Sequence, residues 1–407
     1  MTPPSAVPAS KPPAEPAPST GRDSGREPSG RRFAAVDGLR GAAVLAVLLR
    51  DTGAAGRWFS WAGTGVDVLL VLSGFLTTLP LLRTATATGG TGAVGFLARR
   101  AKRLTPALLM SVAMTLALCW MLGSPRVIRE LARQVPSALL GYGDWGGWAH
   151  GRLPGAVRAT DSPLAPLRLW DLTAGSVLAW SLVLAFLGLL ARRRLFAVAP
   201  VAVLIAGMSA VAAARGALPG VATVTGMQAL APLAGAGAAC LVHLVERGGR
   251  AVSRPAAVLL TTTSLAVAAA LAVSAALRRS GQGGDWYAVV VVLGAAVLTA
   301  VLCGGLGPLA RLLSVDLLTE IGRMSYSLFL LHLPVYWLLQ RGQPGVSPLA
   351  LFLVGGAAAW FLSLLVHYLL VERLGTRPWR PGRAVPLTLA AYLAVVAGAY
   401  ALPVLTA

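Results

Sequence analysis

Four ionisable residues inside one apolar run are the first sign of chemistry in this chain. The run from Asp37 to Asp51, Asp-Gly-Leu-Arg-Gly-Ala-Ala-Val-Leu-Ala-Val-Leu-Leu-Arg-Asp, is apolar enough to enter a bilayer, yet it carries Asp37, Arg40, Arg50 and Asp51. On an α-helix the step from Arg40 to Asp51 closes about three turns, so Arg40, Val44, Val47 and Asp51 are expected on one face. The two charges then stand about 16 Å apart along the axis. A charge within a span costs about 2.5–3.5 kcal/mol even on the lenient insertion scale, so it faces a bundle interior or a wet cavity. Asp37, Arg50 and Asp51 fit the two interfaces, where charge is tolerated. Arg40, one turn inside, does not, and is the first candidate for a functional role.

Three later stretches add candidates. Gly63-Thr64-Gly65-Val66-Asp67 leads into Leu70-Val71-Leu72-Ser73-Gly74-Phe75, with Asp67 near the outer end of a second span. Ser73 and Gly74 read as a packing notch, small residues that let helices approach. The inner loop then supplies Arg99, Arg100, Lys102 and Arg103, four cations in five positions ahead of a third span. Such a cluster serves either as a positive-inside anchor or as a phosphate-binding rim, since Arg grips phosphate through paired N–H donors. Near the end, Arg323-Met324-Ser325-Tyr326-Ser327 precedes His332 and Pro334 in mid-span. A histidine at that depth is either satisfied by a backbone carbonyl or part of a proton path. Tyr326, six residues before it, is too far round the helix to touch it directly. His150 and His243 show no ligand spacing and are read as non-catalytic. No metal site is expected.

These residues need a membrane fold to position them. Of 407 residues, 56% are hydrophobic and 12% charged, with a mean hydropathy of +0.71. That is the profile of a polytopic membrane protein, an all-α helical bundle in the cell membrane. The net charge of +20 does not point to nucleic acid, because no long basic run or aromatic-laced basic stripe accompanies it. The cysteines, Cys119, Cys240 and Cys303, lie in separate apolar runs and make neither a disulfide framework nor a metal motif. Residues 1–31 are rich in Pro, Ser and Gly and are expected to be a disordered cytoplasmic tail without a signal peptide. Residues 32–407 form the transmembrane domain, with apolar runs near 36–50, 64–82, 104–122, 168–190, 196–214, 222–245, 256–277, 286–305, 324–340, 347–371 and 384–405. That predicts about 11 transmembrane helices. With the N-terminus inside and the C-terminus outside, 22 basic residues fall on the inner side and 12 on the outer. The long outer loop near 123–167, with Tyr142, Trp145, Trp148 and His150, suits an interfacial aromatic belt or a carbohydrate-binding lip.

Together these stretches resemble the acyltransferase-3 family, membrane proteins that move acyl groups onto carbohydrates and other acceptors. The matching pieces are Val36-Asp37-Gly38-Leu39-Arg40-Gly41, Gly65-Val66-Asp67 through Leu72-Ser73-Gly74-Phe75, Arg99 through Pro106, Gly322 through Ser327 with His332 and Pro334, and Glu372. The resemblance implies acyl-coenzyme A, typically acetyl-coenzyme A, as donor, and a hydroxyl of a carbohydrate or small molecule as acceptor. It implies Asp51, His332 and Arg40 as catalytic residues. It also implies Arg99, Arg100, Lys102, Arg103, Tyr326, Asp37 and Asp67 as the donor- and substrate-binding set. Two departures bear on activity. Family members carry a His eleven residues after the first-helix Arg, and here that position is Asp51. They also open the fourth helix with carboxylates where Gly175 and Ser176 stand, with Asp171 displaced by about one turn.

Acyl transfer to a hydroxyl needs a base within hydrogen-bond reach, with a proton affinity matched to the operating pH. Imidazole meets that without tuning, whereas a carboxylate beside Arg50 is a poor base unless desolvation strengthens it. Asp51 is therefore expected either to act as a desolvated base or to orient His332, provided their helices pack together. Two other classes stay open: a catalytically degenerate family member with a binding or assembly role, and a transporter. No paired, Gly/Pro-broken short spans support the latter. No appended extracytoplasmic domain is expected after the last helix.

Overall fold

The computed structural model describes residues 29–54, 65–88, 93–122, 225–247 and 308–373, with isolated positions within 128–135, 294–299 and 390–401. Among the described residues all regular structure is helical. In chain order it comprises α1 (Ser29–Asp51), α2 (Gly65–Thr88), α3 (Ala93–Leu122), α4 (Thr225–Arg247), α5 (Pro308–Leu313), α6 (Asp316–Arg323) and α7 (Ser325–Gly342). A last helical run follows in four pieces: Pro348–Ala350, Leu351–Gly355, Gly356–Val366 and His367–Glu372, the second and fourth wound more widely, as π-helix. Its start is set by Ser347, whose Oγ accepts from the Ala350 N–H at 3.2 Å, with Pro348 in the first turn.

Among the described residues three stretches are long and apolar enough to cross a membrane: Gly65–Thr88, Ala98–Leu118 and Pro348–Leu370. The chain is thus a helical membrane protein. Helix α1, with its charges, lies at the centre instead, touching α2, α5, α6 and α7. It begins at Ser29, inside the stretch that reads as tail, because Ala35 and Val36 are fully buried among Leu72, Ala310 and Leu313 and hold its first turns in place.

Glycine sets the closest approaches. A methyl group on Gly41 would overlap the Leu318 carbonyl, and one on Gly322 would overlap the Asp37 carbonyl, so α1 and α6 meet backbone to backbone. Gly74 and Gly235 do the same for α2 and α4, bearing on Pro232 and Val71. The expected notch at Gly74 is therefore real, but Ser73 beside it has another task, described below. Near the C-terminal ends of α2 and α4, Arg83 forks onto Glu246 of α4 at 2.6 and 3.2 Å. On α7, Pro334 has no N–H and frees the Leu330 carbonyl four residues back. Ser111 Oγ of α3 donates to that carbonyl at 2.9 Å, so the break in the helix ladder becomes a link between helices.

The tail through residue 28, Tyr142, Trp145, Trp148 and His150 of the long loop, and Asp171, Gly175 and Ser176 lie outside the described residues. So do the runs expected at 168–190, 196–214 and 256–277.

Candidate active site

Helices α1 and α7 are pinned to each other at two levels by the charges that open the sequence. At one level Arg40 Nη2 donates to Ser325 Oγ at 2.9 Å, and Nη1 lies 3.4 Å from Asp37 Oδ1 one turn back. At the other, His332 Nε2 stands 3.1 Å from Asp51 Oδ2. Between these levels Val44 and Val47 are buried, so the face expected from spacing alone is the face that packs.

Beside the Arg40 level opens a cavity of about 660 Å³. Its walls carry Arg40 and Asp37 of α1, Ser73 of α2, Arg99, Arg100 and Arg103 of α3, Arg323, then Ser325 and Tyr326 of α7, and His367. Five arginines face a single carboxylate. Arg100 is fixed in place: Nη1 donates to Thr77 Oγ1 at 2.8 Å and Nη2 to Ser73 Oγ at 3.0 Å. These hydroxyls sit one turn apart on α2, matching the fork of the guanidinium. Both are neutral, so the charge of Arg100 is held in position without being cancelled. Such a cavity is suited to an anion with several charged oxygens, each able to take paired N–H donors.

Not every sequence candidate reaches the wall. Asp67 lies in the first turn of α2, six residues before Ser73, and Lys102 points elsewhere on α3; neither lines the cavity. Conversely, Arg323, Ser73, Thr77, Ser325 and His367 belong to the site and were not singled out. Arg323 reads as one more inner-side cation, although here it lines the cavity and pairs with Glu320 at 3.4 Å. Glu320 also accepts from the Tyr368 hydroxyl at 2.6 Å. The i, i+4 spacing of Ser73 and Thr77 was the available signal for an arginine partner.

The Asp51–His332 pair lies deeper, and its protonation follows from its partners. His332 is fully buried, and Asp51 is 10% exposed. His332 Nδ1 stands 2.7 Å from the Phe329 carbonyl oxygen, which only accepts, so Nδ1 carries a proton. Nε2 faces a carboxylate, so that contact holds a second proton, placed on the imidazole or on Asp51. The two residues form one acid–base unit. Phe329 joins the two regions, because its carbonyl fixes the imidazole while its residue lines the cavity. Among the described residues no group of His, Cys, Asp and Glu is arranged to hold a metal ion.

A cavity walled by arginines, beside a buried Asp–His pair in a helical fold, sets the chain in a class that family comparison identifies. The family model Acyl_transf_3, described as an acyltransferase domain, matches residues 33–368. The chain belongs to the acyltransferase-3 family. Over 117 residues it is 31% identical to the O-acetyltransferase OatA of Staphylococcus aureus (strain NCTC 8325 / PS 47), covering 29% of this chain and 19% of that protein. A putative O-acetyltransferase of Staphylococcus aureus (strain COL) is 30% identical over 115 residues, 28% of this chain and 18% of that one. The chain thus spans less than a fifth of the length of these curated relatives. No solved structure matches it.

Proposed function

We propose that this chain is a membrane O-acyltransferase that takes an acyl group, acetyl in the first instance, from acyl-coenzyme A on the cytoplasmic side. The acceptor is a hydroxyl of a carbohydrate or small molecule. The observation that carries the proposal is the arginine-walled cavity whose lining includes Phe329, the residue whose carbonyl holds His332 of the Asp51–His332 pair. Arg40, Arg99, Arg100, Arg103 and Arg323 bind the donor's phosphates, and the long arm of the donor carries the thioester toward α7. Tyr326, on the wall between them, positions that arm. The acceptor's hydroxyl oxygen attacks the thioester carbonyl carbon, the carbon–sulfur bond breaks, and the proton passes through the Asp51–His332 unit to the departing thiolate.

Asp51 occupies the position where the family carries a histidine. Its contact with His332 supports activity despite that change, because the imidazole is supplied from α7 instead. The deciding measurement is transfer and hydrolysis of labelled acetyl-coenzyme A by the purified chain in lipid nanodiscs, compared with His332→Ala. Transfer that survives His332→Ala overturns the site. An inert wild type leaves the degenerate family member as the reading.

The proposed topology has 11 spans with the N-terminus inside and the C-terminus outside, in the cell membrane. It rests on the asymmetry of basic residues, 22 inner against 12 outer. Reporter fusions after Arg194 and after Ala407 are expected to read cytoplasmic and external. The same side for both removes the odd number of helices between them.

A further inference from the structure

The Asp51–His332 pair raises a difficulty that its own geometry poses. Nδ1 is committed to the Phe329 carbonyl and Nε2 to Asp51, so neither imidazole nitrogen is open to a substrate hydroxyl. For His332 to act as a base, Asp51 must let go of Nε2 and keep the proton of their contact, and its carboxyl in an apolar surround then needs another hydrogen-bond partner.

Tyr336 supplies one. It lies one turn after His332, on the same face of α7. Its ring meets the imidazole edge to face, with centroids 5.5 Å apart and an interplanar angle of 82°. The residue is 2% exposed, and its hydroxyl has no hydrogen-bond partner among the described residues. A buried hydroxyl left unpaired is unfavourable, and most such groups in folded proteins are satisfied. The surroundings hold it there nonetheless. The ring packs with Val44 and Leu48 of α1, and it fills the space that a side chain at Gly355 would need, at 2.8 Å from the ring carbons. A methyl group on Gly356 of the last helical run would lie 3.8 Å from this hydroxyl and 4.0 Å from Leu48 Cδ2, so the hydroxyl and Leu48, three residues before Asp51, share one neighbourhood.

We infer that Tyr336 is a positioning residue for the pair: when Asp51 releases His332 it withdraws with the shared proton as a neutral carboxyl, which takes the Tyr336 hydroxyl as its new hydrogen-bond partner, and Nε2 is left as an open base. The exchange is a change of hydrogen-bond partner, with no bond made or broken in Tyr336 itself. Its purpose rests on the acyl-transfer reading. Its spectroscopic signature rests on the geometry alone.

The test is Tyr336→Phe in the full chain in nanodiscs, which keeps the ring and its packing and removes only the hydroxyl. With ¹⁵N-histidine labelling, and His332 assigned by difference from His332→Ala, the Nε2 resonance is read at one fixed pH in both chains. In the variant it is expected to move toward the protonated value, because the released state has lost its partner. In parallel, thiol release from acetyl-coenzyme A with water as acceptor is expected to fall about tenfold in kcat, with KM within about twofold. An identical Nε2 resonance in the two chains overturns the inference, whether or not the wild type turns over. So does an unchanged kcat in an active enzyme. Absence of thiol release from the wild type defeats the acyl-transfer reading and leaves the nitrogen signature to decide the role of Tyr336.

Discussion

The two places where α1 meets α7 use charge in opposite ways. At the Arg40 level arginines outnumber carboxylates, are partly open to solvent, and are held by neutral hydroxyls, Asp37 and Glu320. At the Asp51 level a carboxylate and an imidazole are closed in together, each the other's main partner. The first arrangement leaves charge to spend on a ligand, while the second leaves almost none and instead makes proton position sensitive to small changes of partner. Uncancelled cations gain from an incoming anion. A buried pair resists being separated, because breaking it strands one charge in a medium that solvates it poorly. On the proposed function, the first region binds the donor and the second moves the proton.

The largest effect that separates them is expected in the buried pair. His332→Ala and Asp51→Asn should each lower acetyl transfer by at least about a hundredfold, while equilibrium binding of coenzyme A stays within twofold. Binding that collapses along with turnover in Asp51→Asn would show that the two levels are a single site. Asp51→His, which restores the family's residue, places two imidazoles in contact and is expected to stay well below wild type.

Next comes the backbone seam that holds both levels in register. Gly322→Val must displace the Asp37 carbonyl, a contact between main chains that cannot yield as a side chain would. A loss of about 3 kcal/mol is expected, read as a lower melting midpoint in detergent, with donor binding and turnover failing together. A variant that loses only one of them would show that the levels are positioned independently.

Arg100→Gln tests the cavity alone. The amide keeps part of the contact with Ser73 and Thr77 but removes the charge, so affinity for coenzyme A is expected to fall about tenfold while kcat at saturating donor is little changed. In the triple variant Arg99→Gln, Arg100→Gln, Arg103→Gln the loss should be steepest at low salt, where attraction from the exposed Arg99 and Arg103 is least screened. Unchanged affinity in the triple variant Arg99→Gln, Arg100→Gln, Arg103→Gln would reduce the cluster to an orientation signal.

The smallest effect is expected at Ser111→Ala, which removes the donor to the carbonyl that Pro334 frees. About 1 kcal/mol of stability should be lost. Turnover should fall only a few-fold, through loosening of α7 beneath His332, and coenzyme A binding should be unaffected.

Much of this was legible in the chain itself. The hydropathy and the spacing of Arg40 and Asp51 determined that α1 is a helix with both charges on one buried face, because an α-helix repeats every 3.6 residues whatever surrounds it. The motifs from Val36 to Pro334 determined the family. The basic run at Arg99–Arg103 announced an anion site or an anchor, but residue types alone could not say which of its members faces inward. That was decided by the rotation of α3 against α2, which brings Arg100 to Ser73 and Thr77 and leaves Lys102 off the wall. Ser73 read as a packing residue because a small side chain looks the same in sequence whether it makes room or accepts a hydrogen bond. Arg323 and His367 looked like interfacial residues for the same reason. The pairing of Asp51 with His332 spans 281 positions of sequence, and no local period encodes a contact of that range. It exists because glycines at 41 and 322 let α1 and α6 close to backbone contact, and that approach carries α7, which follows α6 directly, against the far end of α1.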